Sequence, residues 1–338
     1  MQSHARPFSR RRFLGGLTLA GTAGLLGVHP RPVAAEPPPE TARLRFARYP
    51  YDVACLSPMW IGEELLRAEG FNDVQYVTPA EMAQYPAISA GRLDLGIIDI
   101  FNVLPLMDNG GTGVILGGVH AGCYELFARA GVRSIRDLKG KTIHVSNTGR
   151  RAFVSAMVKY IGLDPSRDVA FVERPGREGV ELLEAGKVDA TLSFPPEPQE
   201  LRARRIGTSI VNTATDRPWS QYFCCVFVGS RDFVAKYPVA TRRALRALLK
   251  ATDLCASDPE SVARTLVARG FIDNGDYAAR ALREIPYRRW RDYDSADSVR
   301  YYALRLHELG FIKSDPTKLL AQGTDWRFFD ELRREIKT

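Results

Sequence analysis

The feature that most constrains this chain is a near-repeat offset by about 95 residues. Ala90-Gly-Arg-Leu-Asp-Leu95 is matched by Ala185-Gly-Lys-Val-Asp-Ala190. Each copy follows a helix-like stretch, Met82 to Ser89 in the first and Gly179 to Glu184 in the second, and leads into an apolar run. The glycine stands where a helix ends in a left-handed residue. Upstream, Leu65 to Gly70 followed by Val74 to Val77 parallels Met157 to Gly162 followed by Val169 to Val172. Further upstream, the strand Leu44 to Ala47 parallels Lys141 to Val145. The order strand, helix, strand, helix, strand therefore occurs twice. Alternation of this kind builds a parallel sheet covered by helices, so two similar α/β lobes are expected.

The stretch after the second copy repeats nothing earlier. An apolar strand, Tyr222 to Val228, precedes mostly helical sequence. Ser257-Asp258-Pro259 reads as a helix start with Gly270 as its stop. Asp294-Ser295 opens another helix ending at Gly310, and Thr324 opens a last one with Trp326, Phe329, Leu332 and Ile336 on one face. This tail is expected to return to the first lobe. Lobe one is then residues 36–125 with 229–338, its first five residues a stiff Pro-rich leader, and lobe two is residues 126–228.

The N-terminus reads as an export signal. Ser9-Arg-Arg-Arg-Phe-Leu14 is basic with an arginine pair, an apolar Gly-rich run follows to Val28, and Val33-Ala-Ala35 supplies small residues for cleavage. That layout fits a twin-arginine signal over residues 1–35, and the run is short for a membrane span. The expected mature protein is periplasmic and without an anchor. The full chain carries 47 Lys+Arg against 39 Asp+Glu, but five of those arginines and no acid lie in residues 1–35. Removing them leaves 42 basic residues against 39 acidic, so most of the basicity belongs to the leader and no nucleic-acid face is expected.

Ser134-Ile-Arg-Asp-Leu-Lys-Gly-Lys-Thr142 and Val228-Gly-Ser-Arg-Asp-Phe-Val-Ala-Lys-Tyr-Pro238 resemble the periplasmic binding proteins of aliphatic-sulfonate, taurine and nitrate importers. The same superfamily includes binding proteins and enzymes concerned with the pyrimidine precursor of thiamine. The resemblance implies a fold class of α/β, two-lobed, of the type II periplasmic-binding-protein kind. Each lobe would be a mostly parallel sheet flanked by helices, with a helical C-terminal extension on lobe one. It also implies a monomer that closes on a small molecule and hands it to an ABC permease and its ATPase. A pyrimidine-precursor synthase is the second reading, and a periplasmic sensor feeding a receptor kinase the third. The enzyme reading needs a pocket lysine for Schiff-base chemistry, whereas the first lysine of the chain is Lys139. No enzymatic activity and no cofactor are expected.

Ligands of parallel α/β sheets bind beyond the carboxyl ends of strands. That rule selects Asp52 and Ser57 after the first strand, Asp99 after the third, and His120 and Tyr124 after the fourth. In lobe two it selects Ser146, Asn147, Thr148 and Arg150, then Glu197, with Trp219 and Tyr222 approaching from the hinge. Ser146 to Arg150 opens a helix, where backbone N–H groups and a guanidinium suit a sulfonate or carboxylate. The carboxylates and rings suit a nitrogen heterocycle. His120 and Cys123 have a metal-like spacing, but no second cluster stands beside them in the sequence, so no metal site is expected. The five cysteines, Cys55, Cys123, Cys224, Cys225 and Cys255, read as buried small hydrophobes. Cys224 and Cys225 are adjacent on a strand and are expected to face opposite ways.

Overall fold

The computed structural model describes residues 36–79 and 83–336; the expected export signal and Met82 lie outside them. Compactness divides the chain after Pro37, and Pro38–Thr338 form one unit. That unit begins with β1 (Arg43–Ala47), α1 (Ser57–Ile61), α2 (Glu63–Ala68), β2 (Asp73–Val77), α3 (Gln84–Ser89), β3 (Leu95–Asp99), α4 (Ile100–Asp108) and β4 (Val114–Ala121). The chain then crosses into β5 (Glu125–Ala128), β6 (Lys141–Val145), α5 (Thr148–Tyr160), β7 (Val169–Glu173), α6 (Gly179–Glu184), β8 (Ala190–Ser193), α7 (Glu197–Arg204) and β9 (Thr208–Asn212). It returns through β10 (Phe223–Gly229) into α8 (Arg231–Lys236), α9 (Pro238–Ser257), α10 (Pro259–Ala268), α11 (Gly275–Glu284), α12 (Ser295–Glu308), α13 (Pro316–Gly323) and α14 (Arg327–Glu335).

The repeat is structural. Each copy pairs its first two strands in parallel, β1 with β2 and β6 with β7. The repeated aspartate explains why the motif recurs. Asp94 Oδ2 accepts the Arg45 N–H at 2.8 Å, and the Arg45 carbonyl accepts the Asp94 N–H at 3.0 Å. Asp189 makes the same reciprocal pair with Thr142, both at 2.8 Å. A carboxylate thus satisfies a backbone donor where the first and third strands meet. Gly91 and Gly186 stand at φ +64° and +65° with nothing near a would-be Cβ. The left-handed turn alone requires glycine at both places.

The strands that carry the chain between lobes are antiparallel additions to these parallel units. The sheet orders are β1-β2, β3-β10-β4 and β7-β6-β8-β5-β9. β10 runs antiparallel to β3 and β4, and β5 runs antiparallel to β8 and β9. β4 and β10 are buried along their whole length, which is why Val114 to Val119 and Phe223 to Val228 read as continuous apolar runs. All seven residues of β10 belong to the first sheet system, so the sequence boundary at 228 falls at its far end.

The tail follows the expected helix punctuation. Asp258 and Asp294 cap α10 and α12 through their side chains, and Gly270 and Gly310 adopt φ +66° and +74° beyond the helix ends. Glu40 fixes the start of the unit by accepting the Val239 and Ala240 N–H groups at the first turn of α9. In α14, Phe328, Phe329 and Leu332 are the buried residues. Among the described residues, no helix is long and apolar enough to cross a membrane.

Candidate functional site

The two repeats meet at the ends of their strands. Asp99 ends β3 and caps α4 by accepting the Asn102 N–H. Asn147 caps α5 by accepting the Arg150 N–H. The first turns of α4 and α5 touch, since a Cβ on Gly149 would lie 1.9 Å from Asn102 Oδ1 and 2.8 Å from its Cα. The Ala54 N–H donates to the Pro195 carbonyl at 3.0 Å, another bond between the lobes.

Arg150 stands at the centre of this junction, its side chain 14% exposed. Its Nε donates to the Tyr124 hydroxyl at 3.1 Å, and that hydroxyl donates to Asp99 Oδ2 at 3.0 Å. Its Nη1 donates to Ser146 Oγ. Its Nη2 lies 4.0 Å from Asp99 Oδ2, beyond hydrogen-bond range. The guanidinium lies 4.2 Å over the Phe194 ring and 5.4 Å from that of Tyr124. Three chain segments therefore position one cation: the hinge through Tyr124, lobe one through Asp99, and lobe two through Ser146 and Phe194. Burial pushes the Asp99 carboxyl up while the Arg150 charge pulls it down.

Aromatic rings line the same junction. Tyr49 and Tyr51 lie 5.6 Å apart, and Tyr51 lies 6.4 Å from Phe194. Burial raises both tyrosines, and the Arg150 charge opposes the shift. Glu197 begins α7 and accepts the Phe194 N–H at 3.3 Å. Arg177 Nε approaches its Oε1 at 3.5 Å without a hydrogen bond, and both atoms are buried. Burial pushes the Glu197 carboxyl up to about 7, against the opposing charges of Arg177 and Arg150.

Of the residues selected from sequence, Asp99, Tyr124, Ser146, Arg150 and Glu197 come together here, with Asn147 beneath them as the helix cap. The others have different partners. Asp52 accepts the Asp273 and Asn274 N–H groups and ties down the loop before α11. Ser57 donates to the Ala54 carbonyl inside its own turn. Thr148 donates to Glu173 on the outer face of α5. Trp219 packs on Phe153, Tyr160 and Tyr301, and Tyr222 stacks on Tyr301 at 3.8 Å. Trp219 and Tyr222 belong to an aromatic cluster on α12 because the connection into β10 runs along that helix. Sequence reasoning omitted Tyr49, Tyr51 and Arg177 from the site. Tyr49 and Tyr51 follow the end of β1, so the strand-end rule reaches them; Arg177 lies in the β7–α6 loop and nothing local marks it.

His120 is the largest departure. It lies within β4, fully buried, and its ring faces sulfur. Its Nδ1 is 3.6 Å from Cys224 Sγ, which is 3.5 Å from Cys123 Sγ and 3.8 Å from Cys225 Sγ. The second pair of metal-type side chains, missing beside His120 and Cys123 in the sequence, arrives from a strand about a hundred residues later. Cys224 and Cys225 do not face opposite ways as expected. Phe223 opposes Ala121 and Cys225 opposes His120, so Cys224 is the extra residue of a bulge, which re-aims its side chain.

The geometry can be set beside known proteins. No curated protein matches the chain in sequence. Among solved structures, the alkanesulfonate-binding protein SsuA of Xanthomonas axonopodis pv. citri, bound to MOPS, superposes with a TM-score of 0.69 at 18% identity, over 87% of this chain and 100% of that one. The periplasmic nitrate-binding protein NrtA of Synechocystis PCC 6803 gives 0.69 at 12% identity, over 89% and 90%. A mutant of DSZB in complex with biphenyl-2-sulfinic acid gives 0.59 at 17% identity, over 87% and 99%. These likenesses show the periplasmic-binding-protein fold. The family model described as NMT1/THI5 like matches residues 67–262, more than half of the sequence, and the chain belongs to that NMT1/THI5-like family.

Proposed function

We propose that this chain is an exported solute-binding protein that captures a small organic anion between its lobes and delivers it to an ABC permease and its ATPase. The observation that carries the reading is Arg150, a partly buried guanidinium held by residues from both lobes and the hinge at the first turn of α5. Two of its five N–H groups are committed to Tyr124 and Ser146, and Nη2 makes no hydrogen bond to Asp99. Those remaining donors suit an oxyanion, a sulfonate or carboxylate, while Tyr49, Tyr51 and Phe194 suit an apolar or ring-shaped body.

In this reading the twin-arginine leader directs a monomer to the periplasm. The lobes are residues 36–125 with 229–338, and residues 126–228. A ligand bridging both lobes shifts the population to the closed form, because only contacts that differ between open and closed states can do so. Binding without turnover is favoured by the state of Cys55, a buried thiol whose charge would interact with Arg150, Tyr49 and Tyr51. Although the Cys123 thiol pulls Cys55 down, the Cys225 thiol and burial push it well above its ordinary range, and a neutral thiol is a poor nucleophile.

The test is calorimetric titration of the purified mature protein with a panel of aliphatic and aromatic sulfonates, carboxylates and aminopyrimidines, repeated with Arg150→Met. Saturable binding of a sulfonate or carboxylate, lost in the variant, is expected. Binding only of uncharged heterocycles, or unchanged affinity in the variant, would sink the anion assignment.

A further inference from the structure

The segments joining the lobes carry a buried cluster of sulfur and imidazole that the proposed cleft chemistry does not use. His120 lies near the end of β4, Cys123 lies in the crossing to β5, and Cys224 and Cys225 lie at the start of β10 where the chain returns. All four are buried, and one donor atom from each lies within 4.8 Å of the others. A regular strand would not bring adjacent thiols together. The bulge at Cys224 does so, and bulges concentrate where a side chain must be re-aimed.

The three spacings around Cys224 are those of a coordination shell. A tetrahedral ion with metal–sulfur bonds of about 2.3 Å and a metal–nitrogen bond of about 2.0 Å has S···S edges of about 3.8 Å and N···S edges of about 3.5 Å. Cys224 Sγ lies 3.5 Å from Cys123 Sγ, 3.8 Å from Cys225 Sγ and 3.6 Å from His120 Nδ1. The imidazole is also incompletely satisfied: Nδ1 faces the Ala121 carbonyl at 2.8 Å, whereas Nε2 is buried with no hydrogen-bond partner. A buried ring nitrogen without a partner calls for an explanation. Coordination through Nδ1 replaces the bond to Ala121 and leaves the ring hydrogen on Nε2.

We propose that His120, Cys123, Cys224 and Cys225 bind one thiophilic d10 cation, zinc(II) or copper(I), which ties together the two segments that carry the chain between its lobes. Soft sulfur ligands with one imidazole select these ions over magnesium or calcium. Binding releases thiol protons, and the buried position requires loading before the core closes.

The experiment unfolds the full chain under reducing conditions and refolds it with one equivalent of zinc(II), copper(I) or the spectroscopic probe cobalt(II). Metal content is then read by mass spectrometry after removal of free ion. One equivalent of zinc or copper is expected, with sulfur-to-cobalt charge transfer and a tetrahedral ligand-field spectrum in the cobalt sample. Cys255→Ser, which alters a buried cysteine outside the cluster, keeps the metal, and Cys224→Ser lowers affinity about tenfold or more. The cobalt spectrum of the unsubstituted chain decides the matter even where Cys224→Ser fails to fold. No retained ion, an octahedral cobalt spectrum without sulfur charge transfer, or full affinity in folded Cys224→Ser overturns the proposal. A Cys123–Cys224 disulfide forming in place of metal uptake overturns it as well.

Discussion

Replacing Arg150 with methionine keeps much of its apolar stem and removes its charge, which separates the stabilising role of the guanidinium from its role towards ligand. The variant leaves Asp99, a buried carboxylate, without its cation. Removing one partner of a buried pair typically destabilises by about 3–5 kcal/mol. Here the 4.0 Å separation is loose, and the Tyr124 hydroxyl and Asn102 N–H still serve the carboxylate. The lower end, about 3 kcal/mol, is therefore the working figure. At roughly 2–4 °C per kcal/mol, the melting temperature should fall by about 6–12 °C. Asp99→Asn alone should destabilise too, by leaving a partly buried guanidinium beside a neutral amide. The double variant Asp99→Asn/Arg150→Met removes both charges and should lie within about 1 kcal/mol of the unsubstituted protein, because replacing a whole buried pair is often neutral. Thermal unfolding followed by circular dichroism gives the four corners of the cycle. Anion binding should be lost in both variants that lack Arg150, regardless of their stability. An Arg150→Met protein melting within about 1 °C of wild type, or a double variant showing the simple sum of the two single losses, would refute the coupling.

Three further outcomes are expected. Glu197 has its carboxyl raised by burial to about 7 from 4.5, so the folded state binds the extra proton; its contribution is most favourable below about pH 4.5 and is lost as pH rises to about 7. The stability difference between wild type and Glu197→Gln should then change by about 3 kcal/mol across that window in denaturant titrations, and a pH-independent difference would contradict the assignment. Asp94→Ala and Asp189→Ala each strand a backbone N–H of Arg45 or Thr142 and should lose about 1–3 kcal/mol; a neutral result at either site in chemical denaturation would mean the repeat does not use its aspartate as described. Gly149→Ala places a methyl against the Asn102 backbone at a helical position that alanine itself favours. It should weaken ligand affinity and enlarge the ligand-bound radius in small-angle scattering with little change in melting temperature, and an unaltered closed form would refute the contact as a stop between lobes.

The legibility of this chain divides along one physical line. Features fixed by neighbours in sequence were readable: the Ala-Gly-x-x-Asp copies, the strand ends at Asp99 and Ser146, and the caps at Asp258 and Asp294 lie within a few residues of the patterns that announce them. The Arg150 junction was half readable. The helix start predicts a cation at an exposed anion site, but the Asp99, Tyr124 and Phe194 contacts that bury it depend on how two lobes meet. Tyr287 and Trp290 show the same limit from the other direction. Their basic, aromatic run suggests a solvated turn, yet both rings are buried, and Trp290 donates to Asp253 on α9 while Arg291 stacks on it.

The cysteine cluster was unreadable for a more specific reason. A strand template assigns Cys224 and Cys225 to opposite faces, and it holds only while the ladder to β4 keeps register. The glycine pair Gly117-Gly118 in β4 leaves room that Phe329 and Phe223 fill from either side, with ring atoms 2.2 and 2.3 Å from a would-be Cβ. Two bulky rings seated where β4 carries no side chains fit a ladder that slips beside them, and register shifts do flank Cys225. The slip adds one residue, Cys224, and turns its thiol towards His120 and Cys123. The register shifts beside Cys225 therefore convert two ordinary buried cysteines into half of a four-residue cluster, and a strand template applied to β10 alone does not show it.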